Sequence, residues 1–106
     1  MPQVKAKLVT IIAAYECKDT VRSALRQRGI KAFSVARTEG TGAHGEQRDG
    51  FTGNANYMFN VVTTDALASA ILTWVERELI DKDNPAIAYA ADVEAVLGTF
   101  STGQAT

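Results

Sequence analysis

The stretch AKLVTIIAAYECKDTVRSALRQRGIKAFSVART, residues 6–38, carries in order the patterns of a strand, a helix and a second strand. Its first ten residues are rich in β-branched side chains and are followed by polar ones, which favours a strand. Val9 and Ile11 would lie on one face of this strand. Leu8 and Ile12 would lie on the other, so both faces are predicted to be apolar.

A helix is predicted directly after this strand. Cys17, Val21, Ala24 and Leu25 recur at the i, i+4, i+7 and i+8 spacing of one buried stripe. Gly29 follows the last of these positions, where glycine commonly ends a helix in a left-handed conformation. The sequence therefore predicts an amphipathic helix that stops at this glycine.

The residues after the helix alternate in the manner of a second strand, residues 30–38. Its two faces would carry Ile30, Ala32, Ser34 and Ala36 on one side and Lys31, Phe33, Val35 and Arg37 on the other. This strand runs into a glycine-rich polar stretch. A third predicted strand, residues 56–62, follows that stretch.

A second amphipathic helix is predicted next, with Thr63 or Thr64 as its N-terminal cap. Pro85 disfavours helical geometry at Asn84 and so ends this segment. A last strand is predicted at residues 86–96. The apolar stripe of the helix comprises Leu67, Ile71, Trp74, Val75 and Leu79.

The predicted order, β-α-β then β-α-β, is that of an α+β ferredoxin-like sandwich with an antiparallel four-stranded sheet and both helices on one face. The domain would span residues 1–96, with a long loop at about residues 40–55 and a fraying tail at residues 97–106. The sequence contains no third helix to cover the second apolar face of the sheet. An open apolar face favours self-association, so a homo-oligomer is expected.

The composition excludes several classes of protein. The formal net charge of −1 gives no basic footprint for nucleic acid or an anionic membrane surface. A single cysteine excludes an intrachain disulfide and a cysteine-based zinc site. The longest apolar run is too short to cross a bilayer, so a cytoplasmic location is expected. No pairing of nucleophile and base stands out, and an enzyme is not expected.

Four segments together resemble the PII-type signalling proteins: GIKAFSVARTEGTG (29–42), KLVTII (7–12), NVVTTDAL (60–67) and DVEAV (92–96). The resemblance implies a homotrimer that binds adenine nucleotides in clefts between subunits. It also implies that the long loop is a T-loop, which changes conformation with the ligand and docks onto a transporter or an enzyme. Contact with a membrane would then be indirect, through a transporter.

The sequence departs from the nitrogen-sensing members of that family at several positions. The glycine- and lysine-rich phosphate loop before the last strand is replaced by IDKDNP (80–85), and two phosphate-binding arginines align with Gly98 and Phe100. The modified T-loop tyrosine has no counterpart, since Phe51 is the loop's aromatic residue. A metal-chelating glutamine aligns with His44. The chain is more similar to PII-like proteins of bicarbonate transport or carboxysomes, which implies ADP, AMP or cyclic AMP as effector.

The glycine-rich stretch offers exposed backbone N–H groups at Gly40, Gly42 and Gly45, which can approach an anion closely. From the residues alone, a mobile hairpin loop explains them equally well. The resemblance implies that Gly40, Thr41 and Gly42 contact the phosphate side of the ligand. It also implies that the Ser34 hydroxyl approaches the adenine.

Four further residues are candidates near the loop. The resemblance places Val61 in the segment that lines the cleft. Arg48 and His44 are cationic groups that can bind a phosphate or carboxylate, and Arg37 ends the second strand. All three can equally be solvated charges. One histidine with scattered carboxylates is not metal-ligand spacing, so no metal is expected.

The sequence thus favours a PII-like regulator that binds an adenine nucleotide and controls a protein partner, with inorganic carbon metabolism and bicarbonate as a further possibility. The alternative is a structural or metal-tolerance trimer of the CutA type, which shares the architecture. That alternative predicts a rigid loop and metal-binding residues around His44.

Overall fold

The structure, a computed structural model, describes residues 3–39, 41–42, 45–46 and 56–97, with only the backbone path at residues 41, 42, 45 and 46. Within these residues the strands are β1 (Val4–Ala14), β2 (Ser34–Thr38), β3 (Thr41–Gly42), β4 (Gly45–Glu46), β5 (Asn56–Thr63) and β6 (Ala86–Ala95). Four of them form one antiparallel sheet in the order β2-β5-β1-β6. The short strands β3 and β4 pair with each other. This hairpin lies in the stretch predicted as loop.

Two α-helices connect the strands in the described part of the chain. A 3₁₀ turn at Tyr15–Cys17 leads into α1 (Lys18–Gln27), and α2 (Asp65–Glu78) is followed by a 3₁₀ turn at Ile80–Lys82. The Thr64 hydroxyl accepts a hydrogen bond of 3.2 Å from the Leu67 amide, so Thr64 is the cap of α2. The predicted ferredoxin-like α+β fold is confirmed.

The strand register separates the two faces of the sheet. Val9 of β1 lies opposite Val61 of β5, and Ile11 lies opposite Phe59. These four residues are fully buried beneath the helices. Residues one step along the strands point to the other face, because side chains alternate along a strand.

The other face bears Leu8, Thr10 and Ile12 of β1, and no helix of the described residues packs against it. We call it the uncovered face. Tyr89 and Ile87 of β6 lie opposite Thr10 and Ile12 on this face and are 50% and 55% exposed. The sequence prediction of a sheet with two apolar faces is therefore confirmed for β1.

The hydrophobic core lies between the sheet and both helices. Cys17, Val21 and Leu25 of the first helical segment join it, as the predicted stripe requires. Trp74 packs against the core but is only partly buried, with the Arg28 guanidinium 6.0 Å from its ring centroid. The buried side chains from α2 and its C-terminal turn are Leu67, Ala68, Ile71, Val75 and Leu79.

Gly29 ends α1 in a Schellman motif. Its φ of 77° lies in the left-handed region, its amide bonds to the Arg26 carbonyl at 3.0 Å, and the Ile30 amide bonds to the Leu25 carbonyl at 3.1 Å. The side chains of Ile30 and Leu25 are both buried in the core, which completes the hydrophobic contact of this motif. The Gly-Ile pair thus fixes where the chain leaves α1.

This motif also corrects the prediction for the second strand. Strand β2 begins at Ser34 and not at residue 30, and Ile30 lies in the core instead of sharing a face with Ser34. The alternation in residues 30–33 was misleading because the Schellman contact, and not strand pairing, sets the direction of Ile30. From Ser34 onward the predicted alternation holds.

Two ion pairs join three elements at the end of the sheet where β1 begins. The Lys7 ammonium contacts the carboxylate of Asp92 and lies 3.7 Å from that of Asp65. Hydrogen bonding to Asp92 raises the pKa of Lys7, and the same contact lowers the pKa of Asp92. Both carboxylates are exposed to solvent, so the contribution to stability is small.

In the part of the chain that the structure describes, no helix combines the length and apolar character needed to span a membrane.

Replacement of Gly29 by alanine tests the helix end. A Cβ atom at this left-handed position costs about 1 kcal/mol, so Gly29→Ala should lower the free energy of unfolding by that amount in urea titrations. Lys31→Ala, an exposed change two residues away, is the control and should have little effect. Equal stability of Gly29→Ala and the wild type would contradict the assigned motif.

Candidate functional site

Strand β2 lies at the edge of the sheet, and its two predicted site residues point to opposite faces. Ser34 is exposed on the uncovered face, opposite Asn60 of β5. Arg37 is exposed on the helix face, opposite Tyr57. A ligand at this edge of the sheet can therefore approach both residues without crossing the core.

The structure describes the predicted site residues of the loop only in part. Thr41 and Gly42 form β3, for which the backbone alone is described. Gly40, His44 and Arg48 lie outside the described residues.

Val61 is 1% exposed and its side chain lies in the core. The neighbouring residues Asn60 and Val62 are the ones that turn their side chains to the uncovered face. A role for Val61 in ligand contact stays a prediction.

A cavity of about 250 Å³ lies on the uncovered face, between the start of β2 and the end of β6. Its walls come from three strands and the residues beside them: Ala32, Phe33, Ser34, Asn60, Val62, Ala95, Val96 and Leu97. Most of these side chains are apolar, and Ser34 and Asn60 bring two polar groups from neighbouring strands. Ligand sites commonly combine an apolar lining with a few placed polar groups.

Thr10 of β1 lies beside Asn60 of β5, on the side away from the edge strand β2. Its hydroxyl donates a 2.7 Å hydrogen bond to the Asn60 side-chain oxygen Oδ1, and Thr10 is 3% exposed. Within the described residues, neither the Nδ2 group of Asn60 nor the Ser34 hydroxyl has a hydrogen-bond partner. Two polar groups at the cavity are therefore available to a ligand.

A second group of side chains lies on the helix face, at the end of the sheet where β2 leads to the long loop. The Lys18 ammonium lies 4.7 Å from the centroid of the Tyr57 ring, and the rings of Tyr15 and Tyr57 are 5.9 Å apart. Among described residues, Lys18 has no carboxylate partner. With Arg37 opposite Tyr57, this end of the helix face carries two cations.

Asn56 occupies the first position of β5, directly after the loop. It is 7% exposed, and its side chain has no hydrogen bond to any residue that the structure describes. Buried polar groups are normally paired, and the exceptions are often explained by water or a ligand. Asn56 is therefore a further candidate contact at the base of the loop.

A larger and more open groove of about 450 Å³ runs along α1, between Asp19 and Gln27. All the residues that line it belong to this one helix, and its Arg22 lies 3.8 Å from Asp19. No second element of the described part of the chain closes it, so those residues do not provide the convergent polar groups expected of a ligand site.

Cys17 offers no nucleophile to either group of residues. It is 5% exposed in the core, and burial followed by the nearby Glu16 charge raises the pKa of its thiol. The sequence placed this residue on the buried stripe of the first helix, and its position in the core agrees. Among the described residues there is no group of three or more side chains placed to bind a metal ion.

Residues 6–98 match the family described as nitrogen regulatory protein P-II. The chain belongs to the P-II family. It is similar in structure to a PII-like signalling protein from Thermus thermophilus, with a TM-score of 0.77 and 26% identity over 92% of this chain and 96% of that one. Among curated protein sequences, no relative matches.

A second similar structure is CPII, a nitrogen regulatory PII-like protein from Thiomonas intermedia, bound to ADP, AMP and bicarbonate. It has a TM-score of 0.76 and 18% identity over 89% of this chain and 91% of that one. The apo form of CPII has a TM-score of 0.65 and 15% identity over 90% and 98% of the two chains. At these identities the likeness shows the P-II fold.

Sequence reasoning missed Asn60 and Thr10. They are 50 positions apart in the chain and meet only through the pairing of β1 with β5. Their sequence signal was a polar residue in the middle of each apolar strand. That pattern was visible, but nothing in it showed that the two residues share a face with Ser34.

The reactivity of Cys17 can be measured directly. The native protein should react with a disulfide reagent at pH 8 much more slowly than the chain unfolded in urea, because the thiol is buried and protonated. The folded chain holds the thiol proton to a higher pH, so the free energy of unfolding should fall as the pH rises past the ordinary value of 9.0. Equal labelling rates for native and unfolded protein would contradict the burial.

Proposed function

We propose that this P-II family protein is a trimeric regulator that binds an adenine nucleotide, ADP, AMP or cyclic AMP, between its subunits. The observation that carries the proposal is the 250 Å³ cavity on the uncovered face, with the Ser34 hydroxyl at its edge. The similar protein CPII is bound to ADP, AMP and bicarbonate. Binding would change the long loop and so engage or release a protein partner, in an order–disorder switch.

The uncovered face supports the trimer. Ile87 and Tyr89 are half exposed there, and Leu8, Ile12 and Met58 are only partly buried. Contiguous apolar surface of this kind usually marks an interaction site in a soluble protein. Second and third copies of the chain would cover it, and the cavity at its edge would then lie between subunits.

The edge strand β2 is long enough to contact both the base and the phosphates of one nucleotide. Ser34 and Arg37 are three residues apart, which is about 10 Å along a strand. That distance is comparable to the separation of the base and the phosphates in an extended nucleoside diphosphate. The base would lie in the cavity at Ser34, and the phosphates would lie toward Arg37, with Gly40, Thr41 and Gly42 beyond it.

The loop residues His44 and Arg48 would add positive charge to the phosphate side or to bicarbonate. Their contribution would replace the glycine- and lysine-rich phosphate loop, whose place is taken here by residues 80–85. In the structure that segment forms the 3₁₀ turn Ile80–Lys82 and a left-handed Asp83, and its Lys82 is paired with Glu78 at 2.7 Å. A target in inorganic carbon metabolism, such as a transporter, is the partner that we favour.

Sedimentation equilibrium tests the assembly. The wild type should have three times the subunit mass of 11.4 kDa. Ile87→Glu should shift the protein toward the monomer, because it places a charge on the uncovered face. Ile80→Glu is the matched control, since Ile80 is also exposed, at 46%, but lies in the turn after α2. A monomeric wild type at micromolar concentration would refute the trimer.

Calorimetric titration with ADP, AMP, cyclic AMP and ATP, each with and without bicarbonate, tests the ligand. At least one nucleotide should bind, and Ser34→Ala should weaken it severalfold through loss of a hydrogen bond worth about 1 kcal/mol. Ser23→Ala, an exposed change on α1, is the control. If no nucleotide binds the wild type at millimolar concentration, the nucleotide proposal fails whatever the state of assembly.

A further inference from the structure

We propose that the Asn60 side chain selects adenine over other purines, and that Thr10 is the residue that positions it. This assignment rests on the proposed function, since it takes the 250 Å³ cavity as the site of the base. The Asn60 carboxamide would recognise the base together with the Ser34 hydroxyl. The assignment also specifies which edge of the base the two groups contact.

The geometry begins with one row of side chains across three strands. Ser34 of β2 lies opposite Asn60 of β5, and Asn60 lies opposite Thr10 of β1, all on the uncovered face. Directly opposed side chains in an antiparallel sheet have Cβ atoms about 5 Å apart, close enough to interact. The row thus brings three hydrogen-bonding groups together on a face whose other residues are largely apolar.

In the structure the Oδ1 end of the Asn60 carboxamide faces Thr10, and the Nδ2 end is left for the ligand. The Thr10 hydroxyl donates to Oδ1 at 2.7 Å, and Thr10 is 3% exposed, so this contact is shielded from water. With its oxygen engaged, Asn60 keeps the two N–H donors of Nδ2, which have no partner within the described part of the chain. Asn60 also lines the cavity, where it therefore presents a donor.

A donor beside a hydroxyl suits the edge of adenine that carries N1 and the 6-amino group. Adenine N1 is a hydrogen-bond acceptor, and Nδ2 can donate to it while the Ser34 hydroxyl accepts from the amino group. Hypoxanthine and guanine carry a hydrogen on N1 and an oxygen at C6, so a donor would meet a donor. Sites that hydrogen-bond one base reject an analogue that leaves their polar groups unpaired.

The first test compares ADP with inosine diphosphate by calorimetry. Wild-type protein should bind ADP about tenfold or more tightly, the equivalent of about 1.4 kcal/mol. Asn60→Leu, which keeps the volume and removes the donors, should weaken ADP about tenfold and bring the ratio close to one. Thr10→Val should lower the ratio, because the carboxamide can then rotate, and Thr10→Ser should restore it.

Controls separate recognition from damage to the fold. Thr73→Val, an exposed change on α2, should leave the ratio unchanged. Each variant should also sediment with the same subunit assembly as the wild type. A change in assembly alone would alter the affinities for ADP and inosine diphosphate together and would leave their ratio unchanged. An unchanged ratio in Asn60→Leu overturns the assignment while nucleotide binding stands.

The second test needs no variant. Wild-type protein should lose about tenfold in affinity for 1-deaza-ADP, which lacks the N1 acceptor, and should bind 7-deaza-ADP nearly as well as ADP. A loss with 7-deaza-ADP and none with 1-deaza-ADP overturns the assignment. If the wild type binds none of the nucleotides at millimolar concentration, the proposed function itself fails, which is a different result.

Discussion

Both helices pack on the same face of the sheet, and this arrangement decides what each strand residue can do. Because side chains alternate along a strand, a residue of β1 or β5 lies either under the helices or on the uncovered face. Val61 lies under the helices and is part of the core, whereas Asn60, its neighbour, faces the cavity. A shift of the β5 register by one residue would exchange these roles and place the carboxamide in the core.

The end of α1 links this packing to the edge of the sheet. The left-handed Gly29 turns the chain, and Ile30 enters the core beside Leu25, which leaves three residues before β2 begins at Ser34. Among the described residues, strand β2 pairs with β5 alone and forms one edge of the sheet. Ser34 and Arg37 are displayed along that edge, and the loop begins where β2 ends.

Local patterns in the sequence predicted most of this fold. The stripe of α1, its end at Gly29 and the Thr64 cap each depend on residues within a few positions of one another, and each is visible without a structure. The prediction that Ile30 belongs to the second strand was wrong because two local sequence patterns overlap at this residue. Its alternation with Phe33 favoured a strand, but the contact of a Schellman motif buried it instead.

The candidate site was less accessible to such reasoning. Ser34 was predicted through resemblance to a family, but the hydrogen bond between Thr10 and Asn60 joins residues 50 positions apart. Which residues oppose each other across a sheet depends on register, which is set by the whole core. The cluster of Lys18 and Tyr57 was missed for the same reason, since a helix and a strand contribute one residue each.

The polar row also bears on how binding and assembly are connected. A second copy of the chain that covers the uncovered face would bury the Asn60 Nδ2 group and the Ser34 hydroxyl. Each costs about 1–3 kcal/mol if it is buried without a partner. If a base pairs with both groups, as proposed, that cost is removed and the ligand would stabilise the assembly that encloses it. By the reciprocity of linked equilibria, assembly must then tighten binding of the ligand by the same factor.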